Sequence, residues 1–438
     1  MVPYFALAAL VMLSFGLRFW QLGRFESWVF DEVYFAQFAQ AYLAGEPAFD
    51  AHPPLGKYLI AVGIWLHGHS PWVNVGGQAV TDELDLASIS YRWMNAFVGS
   101  LIPLVVVGLS QGLVGPTQKR WLFGCLAGAF VAIDGLFVTE SRYALLNVYV
   151  VFFGLAGHWM WLCAREPSGA VRAGCYRVLS GVALGAAIAT KWNGLGYVLA
   201  LVIWEAIQQT QNRQRRLSFL FQAAIYLGVL PLITYSLIWW PHLQLIGDSF
   251  GATHHTIFTF HQELSEVQVA CSRWFTWPLL IKPISYWYEE IGNWTYTINN
   301  LGNPVLWLLS DAALILLTID TLRKTISRKV LCTDRLHISD QVTRYLLIGY
   351  LANWLPWMIV RRCTYNYLYM PAAVFSFMVL AWLLSGWMET RSPILTRRLS
   401  WIMLSAIALA FLFWLPLSLG LPLTPDQLQL RWWLPSWV

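Results

Sequence analysis

Between Phe30 and Ile60 the chain reads FDEVYFAQFAQAYLAGEPAFDAHPPLGKYLI, and five of its side chains, Asp31, Glu32, Asp50, His52 and Lys57, can hold charge or exchange protons. Carboxylates grouped with an imidazole and an ammonium suit general-base work on a hydroxyl, with cations steadying an anionic leaving group. The bland alternative for Asp31 and Glu32 is a helix cap. They precede an apolar pattern of Val33, Phe35, Phe38, Ala39 and Tyr42 and would suit the positive end of its dipole. The segment around His52 asks for more than a connection. Pro53 and Pro54 fix their own φ and bias the preceding residue away from helix, so a base, an acid and a cation share one stiff corner.

These residues are set in an apolar chain. Of 438 residues, 58% are hydrophobic and 12% charged, which excludes an ordinary soluble domain and defines a polytopic membrane protein. The net charge of +5 is small and gives no footing for a nucleic-acid partner. Six cysteines are scattered without a CxxC pair, so neither a zinc site nor a disulfide framework is indicated. Only Cys271 and Cys363 fall in segments assigned below to the outside, which leaves a bond between them open. The first apolar segment lacks a basic start and an AxA-like cleavage site and reads as a retained anchor.

Hydropathy gives about eleven spans. Their centres lie near Ala9, Pro103, Ala129, Gly154, Ala186, Leu201, Val229, Ala313, Ala352, Met378 and Ile407, the fifth and sixh close together. Basic residues mark every second loop: Lys119 and Arg120; Arg165, Arg172 and Arg177; Arg213, Arg215 and Arg216; the group from Arg323 to Arg344; and Arg391, Arg397 and Arg398. Retention of such residues in the cytoplasm puts the N-terminus inside, the C-terminus outside, and the long loops 21–90 and 241–300 on the extracytoplasmic face. The whole chain, 1–438, then reads as a single transmembrane catalytic domain. The first span ends near Trp20, so Asp31 and Glu32 sit at a bilayer surface. No internal repeat is visible, which weighs against a transporter built from inverted halves.

Another set of basic residues escapes the topology rule: Lys57, Arg92, Arg142, Lys191, Arg273, Lys282, Arg361 and Arg362, all at outer loops or outer helix ends. Charge at a bilayer is costly and tends to be functional or paired. Structural readings stand beside the functional one: Arg142 as an ion-pair partner of Glu140 or Asp134, and Lys57 or Lys282 snorkelling to headgroups. Trp239, Trp240, Trp274, Trp277, Trp287 and Trp294 fit an interfacial belt, with sugar or peptide stacking as the alternative. The collective pattern suits a lipid-linked phosphosugar. Its leaving phosphate needs cations and no general acid, while an acceptor hydroxyl needs one carboxylate to take its proton in a single displacement with inversion. Asp31 is the candidate base, with Glu32 or Asp50 orienting it or binding the acceptor.

FDEVYF followed by FDAHPPLGK resembles the signature of the protein O-mannosyltransferases, GT-C type membrane glycosyltransferases that use a polyprenyl or dolichyl phosphate mannose donor. Collinear segments extend the resemblance over nearly the whole chain: YRWMNAFVGSLIPL (91–104), TESRYALLNVYVVFF (139–153), ATKWNGLGYV (189–198), SRWFTWPLLIKP (272–283), LGNPVLWLLS (301–310) and RRCTYNYLYMPA (361–372). The resemblance implies an all-α polytopic bundle of about eleven spans with amphipathic helices in the first outer loop. It implies Asp31 as catalytic base with Glu32 beside it, and Asp50 and His52 on the acceptor or sugar side. It also implies Arg92 on the donor-phosphate side, with Lys191 and Arg361 as basic positions of later motifs. Trp274 and Trp277 lie in a family motif and are the tryptophans best placed for stacking. No cofactor or metal is implied. The implied partners are the lipid-linked donor, an acceptor polypeptide with Ser or Thr, and membrane lipid, with a dimer left open.

Three departures stand out. Asn147 replaces a common aspartate, Asn366 replaces a histidine, and the run from Val267 to Cys271 lacks the usual HPY-like residues. Loop 241–300 is too short for the carbohydrate-binding-like insert of fungal and animal members, so the chain resembles a minimal prokaryotic-type member of the plasma membrane. Two other functions remain: a related transferase with a lipid acceptor, and, with less support from charge placement, a transporter of lipid-linked sugars.

Overall fold

The computed structural model describes residues 2–69, 87–115, 118–165, 169–209, 216–263, 270–331, 338–389 and 393–437. Part of loop 21–90, the run at Val267, and Arg213, Arg215, Arg335 and Arg391 lie outside them. The chain is helical: α1 (Val2–Phe19), α2 (Glu32–Ala44), α3 (Leu55–Gly68), α4 (Ser88–Val114), α5 (Gln118–Ala132), α6 (Gly135–Arg142), α7 (Asn147–Cys163), α8 (Ala170–Thr190) and α9 (Leu195–Gln209). Then come α10 (Arg216–Ala223), continuous through a π turn with α11 (Leu230–Ile246), and α12 (Phe250–Glu263). A β-hairpin, β1 (Ser285–Ile291) and β2 (Trp294–Asn299), precedes α13 (Pro304–Leu331), α14 (Ile338–Trp354), α15 (Met370–Trp387), α16 (Ile394–Leu419) and α17 (Pro425–Gln429).

Among the described residues six helical stretches are long and apolar enough to cross a membrane, or seven if α5 and α6, bent by 61°, form one span. All eleven expected centres fall in helices, but Ala9, Gly154, Leu201 and Ala352 lie in shorter ones, so the structure does not establish a count of eleven. The bend between α5 and α6 has a local cause. Asp134 stops one helix and caps the next by accepting from Phe137 N at 3.3 Å. The same carboxylate accepts from Asn303 N (2.8 Å) and Trp307 Nε1 (2.7 Å), tying the LGNP turn and the start of α13 to the kink. Arg142 does not pair with Asp134 or Glu140 as one reading expected. Its Nη1 donates to the carbonyls of Leu17 (2.9 Å), Arg18 (3.3 Å) and Trp20 (2.8 Å), the orphan acceptors at the end of α1.

The first outer loop supplies the two expected helices, α2 and α3, which pack on one another and, through α3, on α4. Gly45, at φ 73°, ends α2 in the left-handed conformation that glycine adopts without a Cβ penalty. Gly56 lets the start of α3 approach α7 and α8: a Cβ there would stand 2.6 Å from Leu146 Cδ2 and 3.3 Å from Thr190 Cγ2. The hairpin turns at Gly292, φ 63°, and pairs antiparallel from Ile291↔Trp294 to Ser285↔Asn299. Its register slips between Ser285 and Trp287, so Tyr286 is an extra, bulged residue. The core runs along α15, which is buried at almost every position against α5, α13 and α14.

The tryptophans divide. Trp240 and Trp294 are exposed, as a belt requires, whereas Trp239 and Trp277 are each 1% exposed and pack inside the protein, which corrects the belt reading for those two.

Candidate active site

Asp31 is the first residue before α2, and its carboxylate makes no capping hydrogen bond to the helix. Among the described residues no donor is bonded to that carboxylate, although Asp31 is half-buried. Phe30, just before it, holds a left-handed backbone at φ 55°, which an aromatic residue adopts only when its surroundings impose it. Burial pushes the Asp31 carboxyl above its ordinary pKa; Lys191 pulls it down, and Asp50 adds to the upward push.

Glu32 has the opposite environment. It is fully buried and gathers Arg92 Nη2 (2.5 Å), Arg92 Nε (3.0 Å), Val29 N (2.7 Å) and Ala144 N (3.3 Å). Arg92 spends its remaining donors on the carbonyls of Phe25 (2.6 Å), Ser27 (3.0 Å) and Leu22 (3.4 Å). With all five N–H groups occupied and no exposed surface, Arg92 has no donor left for a phosphate, which corrects the expectation for that residue. The pair instead folds the 22–29 segment onto α4 and fixes the turn that presents Asp31.

Lys57 is likewise enclosed, 1% exposed, and does not snorkel to headgroups. Its Nζ donates to Asp50 Oδ2 (2.5 Å) and to the His52 carbonyl (2.8 Å), so the DAHPPLGK stretch closes on itself. The His52 ring stands 5.8 Å from that of His261, whose Nε2 meets the Ala51 carbonyl at 3.0 Å. Burial holds both imidazoles below their usual pKa, and nearby cations act in the same direction. A hollow of about 250 Å³ opens beside this turn, lined by Phe49, Asp50, His242, Asp248, Thr253 and Thr256. A larger one, about 740 Å³, lies at the end of α1 and touches none of the candidate residues.

Lys191 follows α8, where extended backbone (φ −153°, ψ 146°) breaks the helix. Burial lowers its pKa, and Glu140, Asp31 and Asp50 oppose that fall. Its Nζ lies 5.3 Å from the centre of the Tyr367 ring and donates to Asn147 Oδ1 at 3.0 Å. Asn147 Nδ2 donates in turn to Glu140 Oε2 at 3.0 Å, and Tyr286 Oη donates to Glu140 Oε1. Asn300 Nδ2 reaches Tyr286 Oη at 3.0 Å and Asn366 Oδ1 at 2.8 Å. Two of the three departures from the family pattern, Asn147 and Asn366, therefore fall in one buried polar chain ending on Lys191. Glu140, Tyr286, Asn300 and Tyr367 were not singled out by sequence reasoning. The TESRY segment contained the one signal, a glutamate inside an apolar stretch, and it was assigned to Arg142.

Of the paired arginines, Arg361 is exposed, whereas Arg362 is half-buried and close enough to influence Lys191, His52 and His261. The cation turned toward the cluster is Arg362, the neighbour of the Arg361 that the sequence singles out. A disulfide between Cys271 and Cys363, Cα atoms 5.2 Å apart, and the bonds Ser272 N to Thr364 O (2.8 Å) and Thr364 Oγ1 to Ser272 O (2.6 Å) anchor this strand. Trp274 and Trp277 sit on that anchor. The Trp274 carbonyl accepts from Trp354 Nε1 at 3.0 Å, and Trp277 donates to Ser272 Oγ at 2.9 Å with its ring against Trp357. Enclosed in this way, Trp277 has no free face for a sugar. Among the described residues no group of three or more His, Cys, Asp or Glu side chains is arranged to hold a metal ion.

A half-buried carboxylate that takes no hydrogen bond from the described residues and feels the charge of a buried ammonium, on a mostly helical membrane scaffold, is an arrangement suited to proton removal next to an anion. The fold is shared with membrane glycosyltransferases of the GT-C type. The S. cerevisiae protein O-mannosyltransferase Pmt1-Pmt2 complex bound to the sugar donor matches with TM-score 0.85 at 16% identity, covering 100% of this chain and 93% of that one. ArnT from Cupriavidus metallidurans matches with TM-score 0.54 at 14% identity, over 96% and 76%. The chain belongs to the dolichyl-phosphate-mannose-protein mannosyltransferase family: residues 8–246 match that family's model, and residues 247–437 match that of the C-terminal four-span region of protein O-mannosyltransferases. It is thus a glycosyltransferase. Polyprenol-phosphate-mannose–protein mannosyltransferases of Mycolicibacterium smegmatis (24% identical, 93% of this chain and 87% of the relative) and Mycobacterium tuberculosis (25%, 93% and 86%) are similar over almost their whole length.

Proposed function

We propose that this chain transfers one mannose from a polyprenyl phosphate mannose donor to Ser or Thr hydroxyls of polypeptides, by single displacement with inversion. The observation that carries the reading is the Asp31 carboxylate, which takes no hydrogen bond from the described residues and feels the Lys191 charge. Asp31 takes the acceptor proton as the hydroxyl attacks the anomeric carbon, and its raised pKa makes it a better base than an exposed aspartate. Lys191, with Arg362 behind it, pairs with the phosphate charge already present on the bound donor and keeps that hold as the lipid phosphate departs. Asp50 and His52, held by Lys57, form the acceptor side of the same group.

In this reading the site faces the extracytoplasmic side of the plasma membrane, with the N-terminus in the cytoplasm, on the alternation of basic loops. Loops 21–90 and 241–300 then form the outer layer of one catalytic domain. The test is direct. Membranes containing the chain are incubated with labelled polyprenyl phosphate mannose and a Ser/Thr-rich secreted protein. Label should enter the protein and be released as mannose by β-elimination, and with a β-linked donor the intact product should be cleaved by an α-mannosidase and not by a β-mannosidase. Transfer only into lipid would overturn the acceptor assignment.

A further inference from the structure

We propose that Tyr286 is a positioning residue that holds the two halves of this site in register, its ring fixing Asp31 through Phe30 and its hydroxyl fixing Lys191 through Glu140 and Asn147. This inference rests on the reading of Asp31 and Lys191 above.

Tyr286 lies on β1, a strand exposed at most of its positions, yet it is 6% exposed itself. The register slip at this residue accounts for the difference. As the bulged residue it is released from regular pairing, and a bulge re-aims its side chain, here into the protein. The ring stacks on Phe30 with centroids 4.1 Å apart and planes 4° from parallel. Tyr367 also meets Phe30, edge to face, with ring centres 6.1 Å apart. Phe30 is thereby held in its left-handed conformation, and the direction in which the next residue, Asp31, leaves the backbone is set.

The hydroxyl serves the other half. Tyr286 Oη donates to one oxygen of Glu140, and the second oxygen accepts Asn147 Nδ2 at 3.0 Å. That bond orients the Asn147 amide, because its N–H side must face the carboxylate and its carbonyl side is then left for Lys191 Nζ, also at 3.0 Å. Asn300 Nδ2, at 3.0 Å, fills an acceptor position on the phenol oxygen and directs its proton toward Glu140. One side chain therefore touches both routes, which arrive from elements more than a hundred residues apart in sequence. The hairpin becomes part of the active site without touching the reacting atoms.

The two routes can be cut separately in the purified full-length chain, with synthetic polyprenyl phosphate mannose and a Ser/Thr-rich peptide. Tyr286→Phe keeps the stacked ring and removes the hydroxyl, so the KM for donor should rise about tenfold, as expected for one hydrogen bond to a charged group, with kcat changed less than about twofold. Phe30→Leu removes the stack and keeps the polar chain, so kcat should fall about tenfold or more with little change in donor KM. Tyr288→Phe, altering an exposed residue of the same strand, serves as control and should behave as the parent. Thermal midpoints and gel-filtration profiles confirm that each variant is folded, and kcat is taken per donor-binding site counted by titration, so a purely structural loss, which lowers the active fraction, leaves both constants unchanged. Asp31→Asn and Lys191→Met are measured alongside. If both are silent, the reading of the site itself fails. If they respond while folded Tyr286→Phe and Phe30→Leu match the parent, or each moves both constants together, the positioning role is overturned.

Discussion

Asp31 and Glu32 are neighbours in the chain with opposite fates: Glu32 receives four hydrogen bonds, two of them from Arg92, while the Asp31 carboxylate receives none among the described residues. The helix that both residues start turns one side chain toward α4 and leaves the other beside Lys191. A carboxylate whose lone pairs are already taken by donors has little room for the proton of an incoming hydroxyl. Asp31 is therefore the carboxylate proposed as the base, with Glu32 as the anchor that holds it in place.

Asp31→Asn keeps the shape of the side chain and removes its basicity. Turnover should fall by roughly 10²–10⁴-fold, the usual contribution of a positioned base, with donor binding retained. Single-turnover transfer from labelled donor, compared with equilibrium binding of the same donor, checks this.

Arg92→Ala and Glu32→Gln should act on stability first. Each leaves a buried group without its partner, a loss of about 3–5 kcal/mol for a broken buried pair. Arg92→Lys should rescue poorly, since a single ammonium cannot replace the guanidinium fork. Thermal unfolding of the detergent-solubilised variants measures the effect, and an unaltered midpoint with raised donor KM would point back to phosphate binding.

The pH dependence has a definite sign. The proposed base role requires ionised Asp31, whose pKa lies above the ordinary carboxylate value, so kcat should rise with pH through a limb displaced upward from that value. Lys191 lowers this pKa, so Lys191→Met should move the limb of the residual activity to higher pH. Asp50 raises it, so Asp50→Asn should move the limb lower. A pH–rate series under saturating donor decides both directions.

Gly56→Ala introduces a methyl group 2.6 Å from Leu146 Cδ2 at the contact between α3 and the start of α7. Overpacking there should cost about 1–3 kcal/mol, seen as a lower thermal midpoint. Leu146→Ala removes a fully buried side chain and is destabilising by itself, but by making room it should leave the double variant more stable than the sum of the two single losses.

Replacing Cys271 and Cys363 by serine should lower stability by about 2–4 kcal/mol, since the bond closes a long loop with a sequence separation of 92. Three backbone-directed bonds between Ser272 and Thr364 remain, so the chain should still fold. Unfolding of the variant and the parent with and without reductant tests it: the parent should lose its advantage once reduced.

Local sequence features carried far in this chain. Apolar runs and alternating basic loops define a helical membrane protein, the double proline marks the corner at His52, and the acidic pair marks the start of α2, because each of these depends on residues close together in the chain. The collinear motifs indicated the family. What remained hidden was how charged residues divide their partners. Arg92 and Lys191 look alike as cations beside a bilayer, but one is consumed by Glu32 and three carbonyls and the other is held by a neutral amide. Arg361 and Arg362 differ only in which way the strand pinned at Cys363 turns them. Tyr286 gives no sign in sequence of its role, because the slip in strand register that turns it inward is decided by pairing with β2, and its partners arrive from Phe30 and Glu140. The sequence by itself determined which groups are available; a low-dielectric interior, where every buried donor and acceptor must find a partner, decided in the tertiary structure which of them stay free to react.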